Sequence, residues 1–460
     1  MGVTYIPFLY YNYVKGTWVR YMADLHRQYG PAVRIGPNHI GLDGVVGWPE
    51  VHGHRPPGEE EFSKKRGHAF QGDHASLTGA PTIDHRRMRR HFSNAFSRAS
   101  LAQQETVLVH HVDLLVQCLA QPASLGLPVD MVDWFNFATF DIIGDLTVSE
   151  SFGCLKNNGY HPWIHSIFSS IRGVALNRFF GYFPFLKAAV KMSGLSSDIK
   201  TDSQVRNYSR EMVQARMRYG ERKVDERNDI VSWMLKDGLK GEKVMSEQEI
   251  LTTTPVLMVA GSETTATALS GLWFYLLQDP EKYQTVVNEV RTAFTSEKSI
   301  TFQSTERLVY LNACIAEILR VYPPAAETPL RVSPGGRVAG RYIPPKTLIS
   351  TYPWATFRNP AHFLEPDSFI PERWLPPDDS RFDARFSYDN RNVYKPFGYG
   401  PRDCIGRNLA YAEIRLIAAR LMYEFDHELL PGQEQWHHLQ RVFVVWEKGP
   451  LYIKMKKRSA

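Results

Sequence analysis

Apolar and polar positions change period several times along the chain, and the changes mark out its elements. Trp18–Tyr29 carries apolar residues at helical spacing, and Gly30–Pro37 and His39–Val45 then alternate like two short strands joined by a turn. Trp48–His52 opens another helix, whereas residues 56–80 mix Gly, Pro and charge without period and read as one long loop. Helical spacing returns from Asp84, a candidate cap, and again over Leu101–Ala120, Met131–Leu146, Gln204–Lys223 and Asn228–Leu239. It is longest over Thr252–Leu277 and recurs over Leu308–Val321 and Asn408–Leu421. Asn177–Leu186 is an aromatic loop around Gly181 and Pro184. Leu330–Ser333 and Arg341–Ser350 read as short strands. The tail predicts a strand pair, Arg441–Trp446 with Leu451–Met455, turning at Lys448-Gly-Pro.

A chain of 460 residues, 43% hydrophobic, can bury a large core, and length alone suggests about three domains. The net charge of +6 is modest, and basic residues and aromatics are too dispersed for a nucleic-acid face. Four cysteines show no paired or zinc-type spacing, which fits a reducing compartment. Met1–Tyr13 is apolar but short and interrupted by Pro7. The most membrane-like run, Leu257–Leu277, contains Glu263 and reads as a buried helix.

One cysteine stands in a distinctive setting, Phe397-Gly-Tyr-Gly-Pro-Arg-Asp-Cys404-Ile-Gly. Glycines and proline make a tight loop, and the helix that follows puts Cys404 near a positive dipole end that favours thiolate. Such a thiolate suits a soft or redox-active metal, haem iron above all. Within the longest helix, Ala260-Gly-Ser-Glu-Thr-Thr265 joins small residues to an acid and two hydroxyls, a set able to relay protons. Glu317 and Arg320 share a helix face, and Pro371-Glu-Arg-Trp offers Arg373 as a third charge. His85 and Arg89 also share a face.

These motifs, in this order over nearly the whole chain, resemble those of the cytochrome P-450 haem-thiolate monooxygenases. Phe-x-x-Gly-x-Arg-x-Cys-x-Gly is matched at Phe397, Gly400, Arg402, Cys404 and Gly406; the oxygen-activation motif at 260–265; Glu-x-x-Arg with Pro-Glu-Arg-aromatic at 317–320 and 371–374. The resemblance implies a mostly α fold with a small β-rich lobe, one catalytic domain over residues 1–460, and a b-type haem ligated by Cys404. Ala260, Gly261, Phe397, Gly398 and Gly406 would close around the haem, while His85, Arg89, Arg331 and Arg402 take its propionates. Glu263 and Thr264 would deliver protons, and Glu317, Arg320 and Arg373 would be scaffold.

By the same resemblance, the substrate pocket would involve Phe70, His74, Ser76, Leu77, Met258, Thr265, Ala326, Leu330 and Val444. Electrons would come from NADPH through a flavoprotein, NADPH-cytochrome P-450 reductase, with cytochrome b5 as a second donor, docking on Arg86, Arg87, Arg90, Lys395 and Arg407. Gly406–Arg415 and Val445–Leu451 are worded like fungal secondary-metabolism members, which implies oxidation of a small hydrophobic metabolite. The native form would sit on the cytosolic face of the endoplasmic reticulum membrane, touching it through the aromatic loop. The chain as it stands, opening beyond the anchor of microsomal members, would be soluble. Oxidative cyclisation or coupling, or haem-thiolate binding and sensing without turnover, are the alternatives.

Overall fold

The computed structural model describes residues 2–65, 75–183, 185, 198–218, 229–238 and 241–458. Six helices build the site: α1 (Thr82–Phe92), α2 (Met131–Val148), α3 (Pro162–Gly181), α4 (Glu247–Leu277), α5 (Val309–Val321) and α6 (Arg407–Glu424). At 31 residues, α4 is the axis of the fold. It starts at a capping box: Ser246 Oγ accepts from Glu249 N (3.3 Å), and Glu249 Oε2 accepts from Ser246 N (2.8 Å). That Ser-x-x-Glu signal carries the helix five residues further back than its apolar spacing alone suggests.

Along its length α4 packs on α2, and at Gly261 the contact leaves no room for a side chain. A Cβ there would lie 2.9 Å from Ile143 Cδ1. Glycine at 261 therefore serves helix packing, beyond the room for a flat ligand that the sequence suggests. One continuous apolar cluster runs from Phe8 to Met455, and a smaller one lies around Leu42, Phe62 and Ile349 in the β-rich part.

The strands are short: β1 (Ala32–Gly36), β2 (His39–Leu42), β3 (Ser63–Lys64), β4 (Pro128–Asp130), β5 (Arg331–Val332), β6 (Gly336–Val338), β7 (Arg341–Ile343) and β8 (Leu348–Thr351), then β9 (Phe425–Leu429), β10 (Arg441–Phe443), β11 (Val445–Glu447) and β12 (Tyr452–Lys457). The main sheet runs β1-β2-β8-β5-β3, with β2 and β8 parallel in register His39↔Leu348. It fixes Arg331 and Lys64 side by side, since β3 pairs Lys64 with Arg331.

The tail departs from the sequence expectation. Arg441–Glu447 folds back on itself at Val444 (φ 83°), pairing Arg441 with Glu447, so the reversal falls before Lys448-Gly-Pro. The stretch after it joins β4 and β9 instead, because the start of α2 captures it: Asp130 Oδ1 accepts from Leu451 N (2.9 Å), and Met131 N donates to Leu451 O (2.9 Å). Asp84 does not cap α1. The helix starts at Thr82 behind Pro81, and Asp84 accepts from Arg87 Nη2 (3.1 Å) within the first turn.

The aromatic stretch is helical as far as Gly181, since nothing breaks α3 before it. Tyr182 then packs on Tyr5, with ring centroids 5.6 Å apart, while Phe185 is 93% exposed. Among the described residues, no helix is long and apolar enough to cross a membrane.

Candidate active site

The cysteine loop is closed by its own backbone, with Cys404 N donating to Phe397 O (2.8 Å). The Phe397 ring packs on Tyr411 of α6 (5.0 Å between centroids) under the Arg407 guanidinium (5.8 Å). Gly400, at φ 78°, rests on the Trp48–His52 turn so closely that a Cβ would lie 2.0 Å from His52 O. Only glycine serves there.

The exposed surface of Cys404 opens into a cavity. Burial pushes its thiol pKa up, assisted by Asp403 and opposed by the Gly406 N–H, Arg407 and Arg89. Desolvation thus outweighs the helix end on which the sequence expectation of a thiolate rested. A metal bound there would itself remove the proton.

Ala260, Gly261, Thr264 and Thr265 of α4 form one wall of that cavity; Phe397, Gly398, Cys404 and Gly406 form another. Thr264 Oγ1 donates back to Ala260 O (2.6 Å) and Thr265 Oγ1 to Gly261 O (2.9 Å), while α4 continues unbroken. Glu263 is different. It does not line the cavity but is buried behind the helix, where Lys448 Nζ and Thr267 Oγ1 donate to its Oε1 and its Oε2 has no partner. Glu263 leaves α4 toward Lys448 whereas Thr264 and Thr265 both face the cavity, so the Glu-Thr motif is split between two sides of the helix.

Cations crowd one edge. Burial drives the His85 pKa down to about 3, aided by Arg402, Lys64, Arg89 and Arg331. Arg331 falls to about 10, first through burial and then through Arg402, with Glu61 opposing. Arg331 Nε and Arg402 Nη1 are buried without partners, and Glu61 is paired to Arg86. A concentration of positive charge with orphaned donors is costly unless anions enter it. The donor set fits a flat group with two carboxylates, which is what haem b presents beside a cysteine ligand.

His52 and Lys64, absent from the sequence reading, also line the cavity; His52 Nδ1 lies 3.4 Å from Arg331 Nη2. Neither stands in any motif. Arg89, expected at the propionates, instead donates to Asp403 O and Oδ1, both at 2.5 Å, and steadies the cysteine loop.

Of the residues expected in the pocket, Thr265 lines the cavity. Met258, Ala326 and Leu330 are packed in the core, and Val444, at its hairpin tip, is not among the residues lining the cavity. Ser76 and Leu77 are buried too, and Leu77 N donates to Thr253 Oγ1 (3.1 Å), tying that loop to α4. Phe70 and His74 lie outside the described residues. Ala325, Glu327 and Thr328 line the cavity where the buried Ala326 does not.

Glu317, Arg320 and Arg373 form one buried network. Glu317 accepts from Arg320 Nη2 (2.7 Å) and Nε (2.9 Å), Arg373 Nε (3.2 Å), Ile370 N (2.8 Å) and Trp374 Nε1 (2.7 Å). Burial would raise the Glu317 pKa, but Arg320 and Arg373 outweigh it and hold it below the usual value. Arg320 also binds the carbonyls of Phe357 (2.8 Å), Pro366 (2.6 Å) and Ser368 (2.8 Å).

Three of the expected docking cations are engaged within the protein: Arg86 with Glu61, Arg87 with Asp84 and Glu249, and Arg407 with Asp403. Arg90 remains exposed.

Residues 4–455 match the family described as Cytochrome P450. Over all of its length and 90% of the relative's, the chain is 37% identical to cytochrome P450 monooxygenase astJ of Aspergillus oryzae. It is 37% identical to the trichothecene C-15 hydroxylase of Fusarium sporotrichioides, covering 94% of this chain and 87% of the relative. To the trichothecene C-4 hydroxylase of Trichoderma arundinaceum it is 36% identical, covering 97% and 89%.

Proposed function

The chain belongs to the cytochrome P450 family, and from that premise we propose that it hydroxylates or otherwise oxidises a small hydrophobic metabolite of fungal secondary metabolism, acting as one catalytic domain. It is an oxidoreductase of the monooxygenase class. The observation that carries the reading is the pair Arg331 and Arg402, each with a buried donor lacking a partner, at the edge of a cavity into which Cys404 opens.

When bound, haem with a thiolate ligand supplies one-electron chemistry and activation of O₂. The residues supply the rest. Cys404 would hold the iron, and Arg331 and Arg402, with His85 beside them, would receive the propionates. Ala260 and Gly261 allow close approach from α4. Thr264, whose hydroxyl is held by Ala260 O, positions a proton donor on the cavity side. The relatives named as trichothecene C-15 and C-4 hydroxylases support oxidation at carbon.

Electrons come from NADPH through a flavoprotein reductase, with cytochrome b5 as a second donor, on the cytosolic face of the endoplasmic reticulum membrane. The test is spectroscopic. The reduced protein under carbon monoxide should show the red-shifted Soret band of thiolate ligation, and Cys404→Ser should abolish it while Ala at Cys118, Cys154 or Cys314 keeps it. A thiolate band in Cys404→Ser would overturn the reading.

A further inference from the structure

Much of the cavity lining is apolar, with Leu257, Ala260, Ala325 and Pro329 among its residues. Glu327 interrupts it. This side chain lies on the extended segment between α5 and β5, half-buried, and it borders the cavity. Among the described residues its carboxyl has neither a hydrogen-bond nor an ion-pair partner. Burial raises its pKa to about 7, and Arg178 of α3 acts against that. The propionate-type cations do not neutralise it, since the acid that acts on Arg331 is Glu61.

Its backbone is held on both sides. Trp354 N donates to Ala326 O (3.3 Å), and Thr328 N donates to Thr351 O (2.9 Å). Thr351 N donates in turn to Thr328 Oγ1 (3.2 Å). The acceptor is therefore pre-placed on a rigid rung, and a group that cannot find a donor in the protein stays costly until one arrives with a ligand.

We propose that Glu327 is a specificity-determining residue that accepts a hydrogen bond from a hydroxyl group of the substrate, so that the metabolite oxidised here already carries an alcohol or phenol. Arg178 favours a neutral hydroxyl over an ammonium, because a second cation beside the same carboxyl would be repelled by the first. The inference rests on the monooxygenase reading of the same cavity. It places the enzyme after a reaction that installs or unmasks a hydroxyl group.

The experiment compares dodecan-1-ol with its methyl ether, which differ in the donor. Binding to the haem-loaded protein is followed by the spin-state shift and by calorimetry. A hydrogen bond to a carboxylate should give the alcohol a roughly tenfold to hundredfold advantage in the wild type. Glu327→Leu should remove the advantage, and Glu327→Gln, whose amide oxygen still accepts, should retain part of it.

Equal affinity for both probes in the wild type, or an undiminished preference in Glu327→Leu at full haem content, would overturn the assignment. Thiolate spectra separate the two levels. A wild type without the red-shifted band fails the functional reading itself, whereas an intact band with no discrimination fails only the role of Glu327.

Discussion

Lys448 and Glu263 form an ion pair inside the protein, with side chains only 4% and 3% exposed. The lysine belongs to the loop after β11 and the glutamate to the middle of α4, so the last hairpin is tied to the helix that roofs the cavity. Lys448 Nζ also donates to Thr267 Oγ1 (2.8 Å), completing a small polar knot in an apolar setting. Two charges taken out of water are tolerated only together.

Lys448→Met should therefore destabilise the haem protein by about 3–5 kcal/mol, because it strands the Glu263 carboxylate. The double variant with Glu263→Gln should recover most of that loss. Urea unfolding of the four proteins in the cycle measures both. A double variant no more stable than Lys448→Met would mean that the lysine acts through packing alone.

Thr264→Ala should keep haem and ligand binding but uncouple electron use from product. Without the hydroxyl, the cavity side of α4 loses its positioned proton donor, while Ala260 O is left without its 2.6 Å partner. NADPH consumption should continue as product falls and hydrogen peroxide rises. Unchanged coupling would move the role to Thr265.

Glu413 of α6 is buried beside the cavity, with Oε1 unpartnered, and burial raises its pKa to about 8 against the opposing effect of the Thr265 hydroxyl. A raised folded-state value means that the neutral acid suits the fold. Its contribution is fully present below about pH 4.5, the unfolded value, and is lost as pH climbs to about 8. Glu413→Gln, neutral at every pH, should match the wild type in melting temperature near pH 5 and exceed it increasingly up to pH 8–9. Parallel melting curves across that range would show the carboxyl to be solvated.

Glu317→Gln should cost about 3–5 kcal/mol, since it leaves Arg320 and Arg373, both almost wholly buried, without their shared anion. Arg320→Lys should fare little better, because an ammonium cannot reproduce the fork that meets both Glu317 oxygens and three carbonyls. Haem retention after gel filtration, with far-ultraviolet dichroism as control, gives the measurement. Full retention in both variants would contradict a structural role.

Much of this fold is legible in the sequence because its helices are long and strongly one-sided. Trp18–Tyr29 and Val309–Val321 fall where the apolar spacing puts them. The cysteine loop is legible for another reason: glycines at fixed offsets reflect contacts no other residue permits, as Gly400 against His52 O shows. What a motif does not encode is direction. Glu263 and Thr264 adjoin in sequence yet face different sides of α4, and Arg89 turns to Asp403. Lys64 reaches the cavity through strand pairing with Arg331, and His52 through a side-chain contact with the same distant arginine, and no local pattern announces either. The tail misled for a local reason. Val444 reverses the chain where a β-branched residue is a poor turn former, while the glycine and proline beside Lys448 mark only an exit.

The bonds from Arg320 to the carbonyls of Phe357, Pro366 and Ser368 reach across 37, 46 and 48 residues. The first of these spans contains β5 to β8, but from Arg358 to Cys404 the chain holds only short 3-10 turns and no strand, so no ladder of its own orders it. Closing such a loop carries an entropy that grows only with the logarithm of its length, so the first of these bonds meets nearly all of it. Each later bond then forms within a ring already closed. The segment that leads into the cysteine loop should accordingly assemble late and in one step, after α5 exists to present the guanidinium, and the haem ligand is put in place by a folding event centred far from it in sequence.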